Sequence, residues 1–166
     1  MKAEIWVDGS FNNQLPTWAI LVKVAGVEVH RASGDIVDPK LKRYNQIAGE
    51  LEAAKQAIQW CLDNSVTEVE IHYDYEGIKA WAIKAWKANN EVTQGYAKYA
   101  QAAMELITII WCKVKAHSGN AGSNTVDKLA KLQSTVGVSE IEDGIMLTYK
   151  LNKYKINFKE LTIERN

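Results

Sequence analysis

Long apolar runs are missing from this sequence, and so are most residues that mark secreted or disordered chains. No run of about 18 or more consecutive apolar residues occurs, which excludes a hydrophobic transmembrane span. Only 2 Pro and 10 Gly occur among 166 residues, which argues against long disordered linkers. The 2 Cys, Cys61 and Cys112, lie in apolar, periodic segments. They are predicted to be reduced core residues, so neither a disulfide framework nor a cysteine-based metal site is expected.

A dominant charge of one sign is missing as well. The 20 Lys and Arg residues balance the 20 Asp and Glu residues, so composition alone does not indicate nucleic-acid binding. Basic residues do cluster around residues 40–43, 79–87 and 113–131, which is typical of a solvated surface or of a basic track on one face. The N-terminal residues alternate like a strand and do not resemble a secretory signal. We therefore expect a cytoplasmic protein with one substantial core.

Hydrophobic periodicity predicts a mixed α/β domain. Period-two alternation predicts a strand over residues 3–8, a polar turn over 9–14 and a hairpin of strands 17–24 and 27–36. An apolar stripe with steps of three and four then predicts a helix over 46–62. The remaining predicted elements are strand 66–74, helices 77–88 and 93–104, strand 107–116 and helix 124–134.

This order of elements predicts the topology of the sheet. Strand–helix–strand crossovers give parallel neighbours, so the first, fourth and fifth strands should be parallel, with the hairpin at one edge. The C-terminal residues alternate over 144–151 and 154–163 and are predicted to form a second hairpin. About 30 residues bury little core of their own. We therefore divide the chain into a main domain, 1–135, and an appendage, 136–166, whose role is left open among packing, dimerisation and substrate binding.

Four acidic residues are predicted to meet at one rim of this sheet. Asp8 and Asp74 lie near the ends of neighbouring parallel strands, and Glu50 and Asp127 lie in the first turns of two helices. Charges about 4 Å apart repel by about 4 kcal/mol at an effective dielectric of 20, so the cluster calls for cations or protons. Oxygen ligands favour Mg²⁺ or Mn²⁺, and two such ions about 3.5–4 Å apart suit displacement at a phosphodiester. Singly, each acid is typical of a cap, turn or helix-dipole residue, so the hypothesis rests on convergence.

The stretch KAHSGNAGSNTVDKLAK, residues 115–131, joins the last predicted strand to the last predicted helix. It is rich in glycine but lacks the residue order of a phosphate-binding P-loop. His117 lies on this loop, beside Gly119 and Gly122, and Asp127 follows in the helix.

Four blocks of this sequence resemble type 1 ribonucleases H: Val7-Asp8-Gly9-Ser10, the segment 45–54 around Glu50, Tyr73-Asp74-Tyr75-Glu76-Gly77, and Lys115-Ala116-His117-Ser118-Gly119 with Asp127. The resemblance covers about residues 3–134. It implies an α/β fold with a mixed five-stranded sheet in the order 3-2-1-4-5, flanked by helices, here followed by a hairpin-like C-terminal extension. It also implies a monomeric endoribonuclease that hydrolyses the RNA strand of an RNA–DNA hybrid. Two Mg²⁺ ions, with Mn²⁺ as an alternative, would support the reaction, and its products would carry 5′-phosphate and 3′-hydroxyl ends. No separate N-terminal hybrid-binding domain is expected.

The same resemblance implies roles for individual residues. Asp8, Glu50, Asp74 and Asp127 would be the metal-binding catalytic carboxylates, and His117 would shuttle protons or assist product release. The residues that would contact substrate are Gly9, Ser10, Asn12, Asn45, Gln46 and Lys87. The sequence departs from the family pattern at Tyr75, at an apparent insertion of Gly49, and at Ser123, where an asparagine is common and Asn124 follows one position later.

Two alternative functions are weighed against this one. A DNA-cutting nuclease on the same fold is disfavoured by Asn45-Gln46 near Glu50 and by the histidine loop. A catalytically silent module that binds hybrids or RNA is disfavoured because all four ligand positions are acidic.

Overall fold

The structure, a computed structural model, describes residues 1–12, 14–115 and 121–131, together with the backbone of residues 154–157 and 162–165. The strands of the main sheet are β1 (Lys2–Asn12), β2 (Leu15–Val24), β3 (Val27–Asp35), β4 (Glu68–Tyr73) and β5 (Thr108–Lys113). The helices are α1 (Pro39–Lys42), α2 (Asn45–Asp63), α3 (Gly77–Ala82), α4 (Glu91–Met104) and α5 (121–131).

The five strands form one sheet in the order β3-β2-β1-β4-β5. Pairing is antiparallel between β1 and β2 and between β2 and β3, and it is parallel between β1 and β4 and between β4 and β5. The predicted fold class and strand order are confirmed.

Helices cover both faces of the sheet. On one face, the α2 residues Leu51 and Ile58 pack with Ile71 of β4 in the main core. On the other face, Val126 and Ala130 of α5 pack against β1 and β2 side chains, Trp6, Ala19 and Leu21. The predicted helical stripe of α2 is therefore confirmed as a core-facing surface.

β1 is longer than predicted. Its pairing with β2 continues to Asn12, opposite Leu15, so residues 9–12 belong to a strand and the predicted turn there is wrong. The parallel pairing of β1 with β4 ends earlier, at Trp6 opposite His72. The sheet therefore divides beyond Trp6, and Asp8 lies within β1 at this division.

Three helix boundaries also differ from the prediction. α2 begins at Asn45 and α5 is already helical at residue 121, so Glu50 and Asp127 do not lie in first turns, and the predicted first-turn positions are wrong. α3 ends at Ala82, six residues before the predicted end. Lys84 adopts a φ of 66°, and the N–H groups of Ala85 and Trp86 both donate to the carbonyl of Ala80. This ending resembles a Schellman motif with lysine in the position that glycine usually takes.

The C-terminal strands differ from the predicted pair. β6 (Tyr154–Asn157) pairs antiparallel with β7 (Thr162–Arg165), so the single predicted strand 154–163 is wrong. The other predicted strand, 144–151, lies outside the described residues. None of the helices in the described segments is long and apolar enough to cross a membrane.

Candidate active site

Asp8 and Asp74 lie where β1 and β4 separate. Each follows the last parallel pair, Trp6 opposite His72, by two residues, and alternate residues of a strand share one face. Asp8 therefore lies on the face of the sheet that α5 covers, and Asp74, just after β4, lines a cavity there with Asp8 and Asp127 of α5. Asp8 is buried, and the N–H of Gly9 donates to its Oδ1 at 2.9 Å.

Glu50 reaches this place because two glycines allow α2 to approach the sheet closely. A Cβ on Gly9 would lie 2.3 Å from the backbone nitrogen of Glu50, and a Cβ on Gly49 would lie 2.1 Å from the carbonyl oxygen of Thr17. No side chain larger than hydrogen fits at either contact. Gly49, an apparent insertion in the sequence, is thus the residue that allows the Glu50 turn to pack against β1 and β2.

The carboxylates of Asp8, Glu50 and Asp74 converge. One oxygen of each lies within 4.8 Å of the others. Glu50 is only 3% exposed, and its buried Oε1 has no hydrogen-bond partner among the described residues. A buried carboxylate oxygen without a donor is expensive, and it is well placed to bind a cation. Three convergent oxygens therefore fit a hard divalent cation such as Mg²⁺ or Mn²⁺.

The electrostatics of the cluster show how closely these groups interact. Burial, followed by the charges of Asp74 and Asp127, raises the pKa of Asp8 to about 8. Burial and the charges of Asp8 and Asp74 raise the pKa of Glu50, while hydrogen bonds from Gln46 and the backbone of Gly9 oppose this rise. Without cations, the cluster must therefore retain protons near neutral pH.

Asp127 completes the site from α5. It interacts with Asp8, and together with Asp74 these residues line a small cavity of about 20 Å³. Ser123 and Asn124 line the same cavity. Asn124, although one position after the site where asparagine is common in type 1 ribonucleases H, is therefore still close to the carboxylates. Lys131 Nζ lies 3.1 Å from Asp127 Oδ2, one helical turn away. Asp127 is thus the member of the cluster with a cationic partner on its own helix.

The residues predicted to contact substrate differ in their exposure and in their distance from the carboxylate cluster. Gly9 and Ser10 are buried within β1 and not on an exposed turn. Gln46 donates from Nε2 to Glu50 Oε2 at 3.4 Å, so it contacts a member of the cluster directly. Asn45, at the exposed start of α2, has a φ of 52°. Lys87 is exposed and lies beyond the end of α3.

Two predicted site residues are not placed by the structure. His117 and the side chain of Asn12 lie outside the described residues. The accompanying interpretation of Gly122 as a loop glycine is wrong, because Gly122 lies within α5. A Cβ there would lie 2.4 Å from the Trp6 ring.

Sequence reasoning missed the structural role of Gly49 and the direct contact of Gln46 with Glu50. The four-residue spacing of Gln46 and Glu50 was the available signal, since such residues are neighbours on a helix. Nothing in the sequence marks Gly49 as a close approach of the helix to the sheet.

Comparison with known proteins identifies the family. A family model described as RNase H matches residues 1–135. A ribonuclease H of Legionella pneumophila strain Corby is 30% identical over 153 residues, covering 85% of this chain and 99% of the relative. The N-terminal RNase H domain of a Mycobacterium tuberculosis protein superposes with a TM-score of 0.66 at 16% identity, covering 79% of this chain and 97% of that one. LC11-RNase H1 in complex with an RNA/DNA hybrid gives 0.60 at 17% identity, covering 76% and 94%. This chain belongs to the RNase H family.

Proposed function

We propose that this protein is a metal-dependent endoribonuclease that hydrolyses the RNA strand of RNA–DNA hybrids. The observation that carries the proposal is the convergence of Asp8, Glu50 and Asp74 within 4.8 Å where the sheet divides. Burying carboxylates that repel one another destabilises the folded protein, and bound cations would offset this repulsion. Membership of the RNase H family supports ribonuclease activity, and the cluster provides the candidate catalytic residues.

Four carboxylates would bind two divalent cations, and two neighbouring side chains orient two of these carboxylates. Asp8, Glu50, Asp74 and Asp127 would hold the ions. Gln46 orients Glu50 through its hydrogen bond, and Lys131 orients Asp127 through its ion pair. When bound, divalent cations would supply stabilisation of the attacking and leaving oxygens of an in-line displacement. The products would be a 5′-phosphate and a 3′-hydroxyl.

Preference for a hybrid substrate is supported by the start of α2. Asn45 and Gln46 are exposed beside the buried Glu50, so their amides are accessible to a nucleic acid lying over the cluster. A ribose 2′-hydroxyl is the group by which a protein distinguishes RNA from DNA. The structural neighbour LC11-RNase H1, which binds an RNA/DNA hybrid, has the same fold. His117 would shuttle protons or assist product release.

The rest of the proposal concerns organisation. Residues 1–135 would form the catalytic domain and 136–166 an appendage, in a protein that acts as a monomer. A cytoplasmic location would keep the thiols of Cys61 and Cys112 reduced.

The variant Asp74→Asn tests the metal assignment. We expect it to lose cleavage of a labelled hybrid while hybrid affinity stays within about threefold, because the substitution removes a metal ligand and leaves the residues proposed to contact substrate unchanged. The matched control Asp63→Asn alters an exposed aspartate at the other end of α2 and should cleave normally. Undiminished cleavage by Asp74→Asn would remove the metal assignment. For the wild-type protein, cleavage of duplex DNA alone would favour the DNA-cutting alternative, and hybrid binding without any cleavage would favour a silent binding module.

A further inference from the structure

A second group of metal-binding side chains lies on the same face of the sheet as the carboxylate cluster. Register places Glu4 beside Glu70, Trp6 beside His72, and His72 beside Cys112. Because alternate residues of a strand share a face, these side chains form two rows that precede Asp8 and Asp74 along β1 and β4. The group therefore lies on the two central strands β1 and β4 and on the edge strand β5.

The donor atoms of this group point towards one another. The Nε2 of His72 lies 3.5 Å from Glu70 Oε1 and 3.7 Å from Glu4 Oε2. Donor atoms of Glu70, His72 and Cys112 all lie within 4.8 Å of one another. Burial raises the pKa of the Cys112 thiol, and the charges of Glu70 and Glu4 raise it further.

Neither carboxylate forms a hydrogen bond with Nε2 of His72. Its Nε2 is buried at the atomic level and has no hydrogen-bond partner among the described residues. Distances of 3.5 and 3.7 Å exceed the usual N–H···O range of about 2.7–3.2 Å. They match the separation of about 3.3–3.8 Å between tetrahedral ligands whose bonds to Zn²⁺ are about 2.0–2.3 Å long.

The surroundings hold the imidazole in place and leave the site open. The His72 ring stacks on Trp6 with centroids 4.4 Å apart and planes 9° apart. Trp6 is fixed in turn by the backbone of Gly122 in α5, which lies against its indole ring. The side chains of Glu4 and Glu70 are 42% and 38% exposed, so a cation has access from solvent. Cys112 is half-buried, so its predicted place as a core residue is wrong.

We propose that Glu70, His72 and Cys112 form a binding site for Zn²⁺ or a similar divalent transition-metal ion, with Glu4 as a fourth ligand. Nitrogen and sulfur donors select such ions, whereas the oxygen-only cluster of Asp8, Glu50 and Asp74 selects Mg²⁺. The two sites are thus chemically distinct. An ion here would link β1, β4 and β5 through residues two to four positions before Asp8 and Asp74, and would stabilise the strands that position them.

Cobalt(II) provides a specific probe, because a cobalt–thiolate bond gives a charge-transfer absorption that oxygen ligands do not give. The full-length, reduced protein is titrated with Co²⁺ in excess Mg²⁺, and Zn²⁺ is then added as a competitor. We expect a saturable absorption at one Co²⁺ per chain that Zn²⁺ abolishes. Cys112→Ser should remove the absorption, and His72→Gln and Glu70→Gln should weaken Co²⁺ binding at least about tenfold.

Two controls separate this site from the proposed active site and from misfolding. Cys61→Ala removes the other, fully buried thiol, and Asp74→Asn alters the carboxylate cluster; both should retain the absorption. Circular dichroism checks that each variant is folded. Protection of Cys112 by Zn²⁺ against a thiol reagent gives a second measurement on the unaltered protein. Absence of the absorption and of protection in the wild type would overturn the proposal, as would a full absorption in folded Cys112→Ser.

Discussion

Replacing Asp8 with asparagine is expected to stabilise the protein in the absence of divalent cations while abolishing cleavage. The carboxyl of Asp8 ionises near its ordinary pKa of 3.8 in the unfolded chain, whereas its pKa is about 8 in the folded protein. Between these values the folded state retains a proton that the unfolded state has released. The free energy of unfolding therefore falls as pH rises from about 4 to about 8.

The size of the effect follows from the same pKa. At 1.36 kcal/mol per pH unit, the wild type loses up to about 4 kcal/mol of stability between pH 4 and pH 7 through this group. Asparagine is neutral in both states and has no such loss, and its amide oxygen still accepts the hydrogen bond from Gly9. The stability gained by Asp8→Asn should thus grow from near zero at pH 4 to at most about 4 kcal/mol at pH 7.

Urea denaturation in the presence of a chelator, at several pH values, measures this gain. Asp63→Asn, an exposed substitution of the same type, is the matched control and should show no comparable dependence on pH. Added Mg²⁺ should narrow the difference between the wild type and Asp8→Asn, because bound cations favour the ionised carboxylate. A gain of stability that is absent at pH 7, or equal at pH 4 and pH 7, would refute the burial of Asp8 among repelling carboxylates.

Three further substitutions, one of them with a matched control, test other parts of the site. Gly49→Ala should cost about 1–3 kcal/mol in urea denaturation and reduce hybrid cleavage, because its Cβ would meet the Thr17 carbonyl. Gly95→Ala, in open space on α4, should instead gain about 0.5–1 kcal/mol; equal effects would contradict the close packing at Gly49. Gln46→Ala should raise the Mg²⁺ concentration needed for half-maximal cleavage several-fold, since Glu50 loses a donor; an unchanged Mg²⁺ dependence would remove that role. His117→Ala should slow turnover only partially, and unchanged turnover would remove its proposed function.

The convergence of the carboxylates was predictable from sequence, although the local reasons were partly wrong. The largely polar segment Gly9 to Gln14 predicts that β1 ends near Asp8, but pairing with β2 continues through that segment to Asn12. Asp8 and Asp74 nevertheless converge, because the parallel pairing of β1 with β4 ends at Trp6. Strand alternation reports which face a residue occupies, but it does not report which neighbouring strand stops first.

Helix boundaries were less predictable for a physical reason. Tyr44 precedes α2 without any side-chain capping hydrogen bond, so the usual signal for a helix start is missing. α3 ends at a lysine with positive φ inside a sequence of good helix formers. The chain turns there so that Trp86 packs edge-to-face on Trp81, with centroids 5.3 Å apart. Here a contact between side chains opposes the helix propensity of the segment, and the propensity pattern of the sequence does not reveal it.

A cleavage assay on defined duplexes tests the central proposal most directly. An RNA–DNA hybrid, an RNA duplex and a DNA duplex of the same sequence, each labelled on one strand, are incubated with the protein in Mg²⁺ or in chelator. We expect cleavage of only the RNA strand of the hybrid, only with Mg²⁺, leaving a 5′-phosphate on the downstream fragment. Cleavage of the DNA duplex alone, or equal cleavage of the hybrid in chelator, would contradict the proposed function.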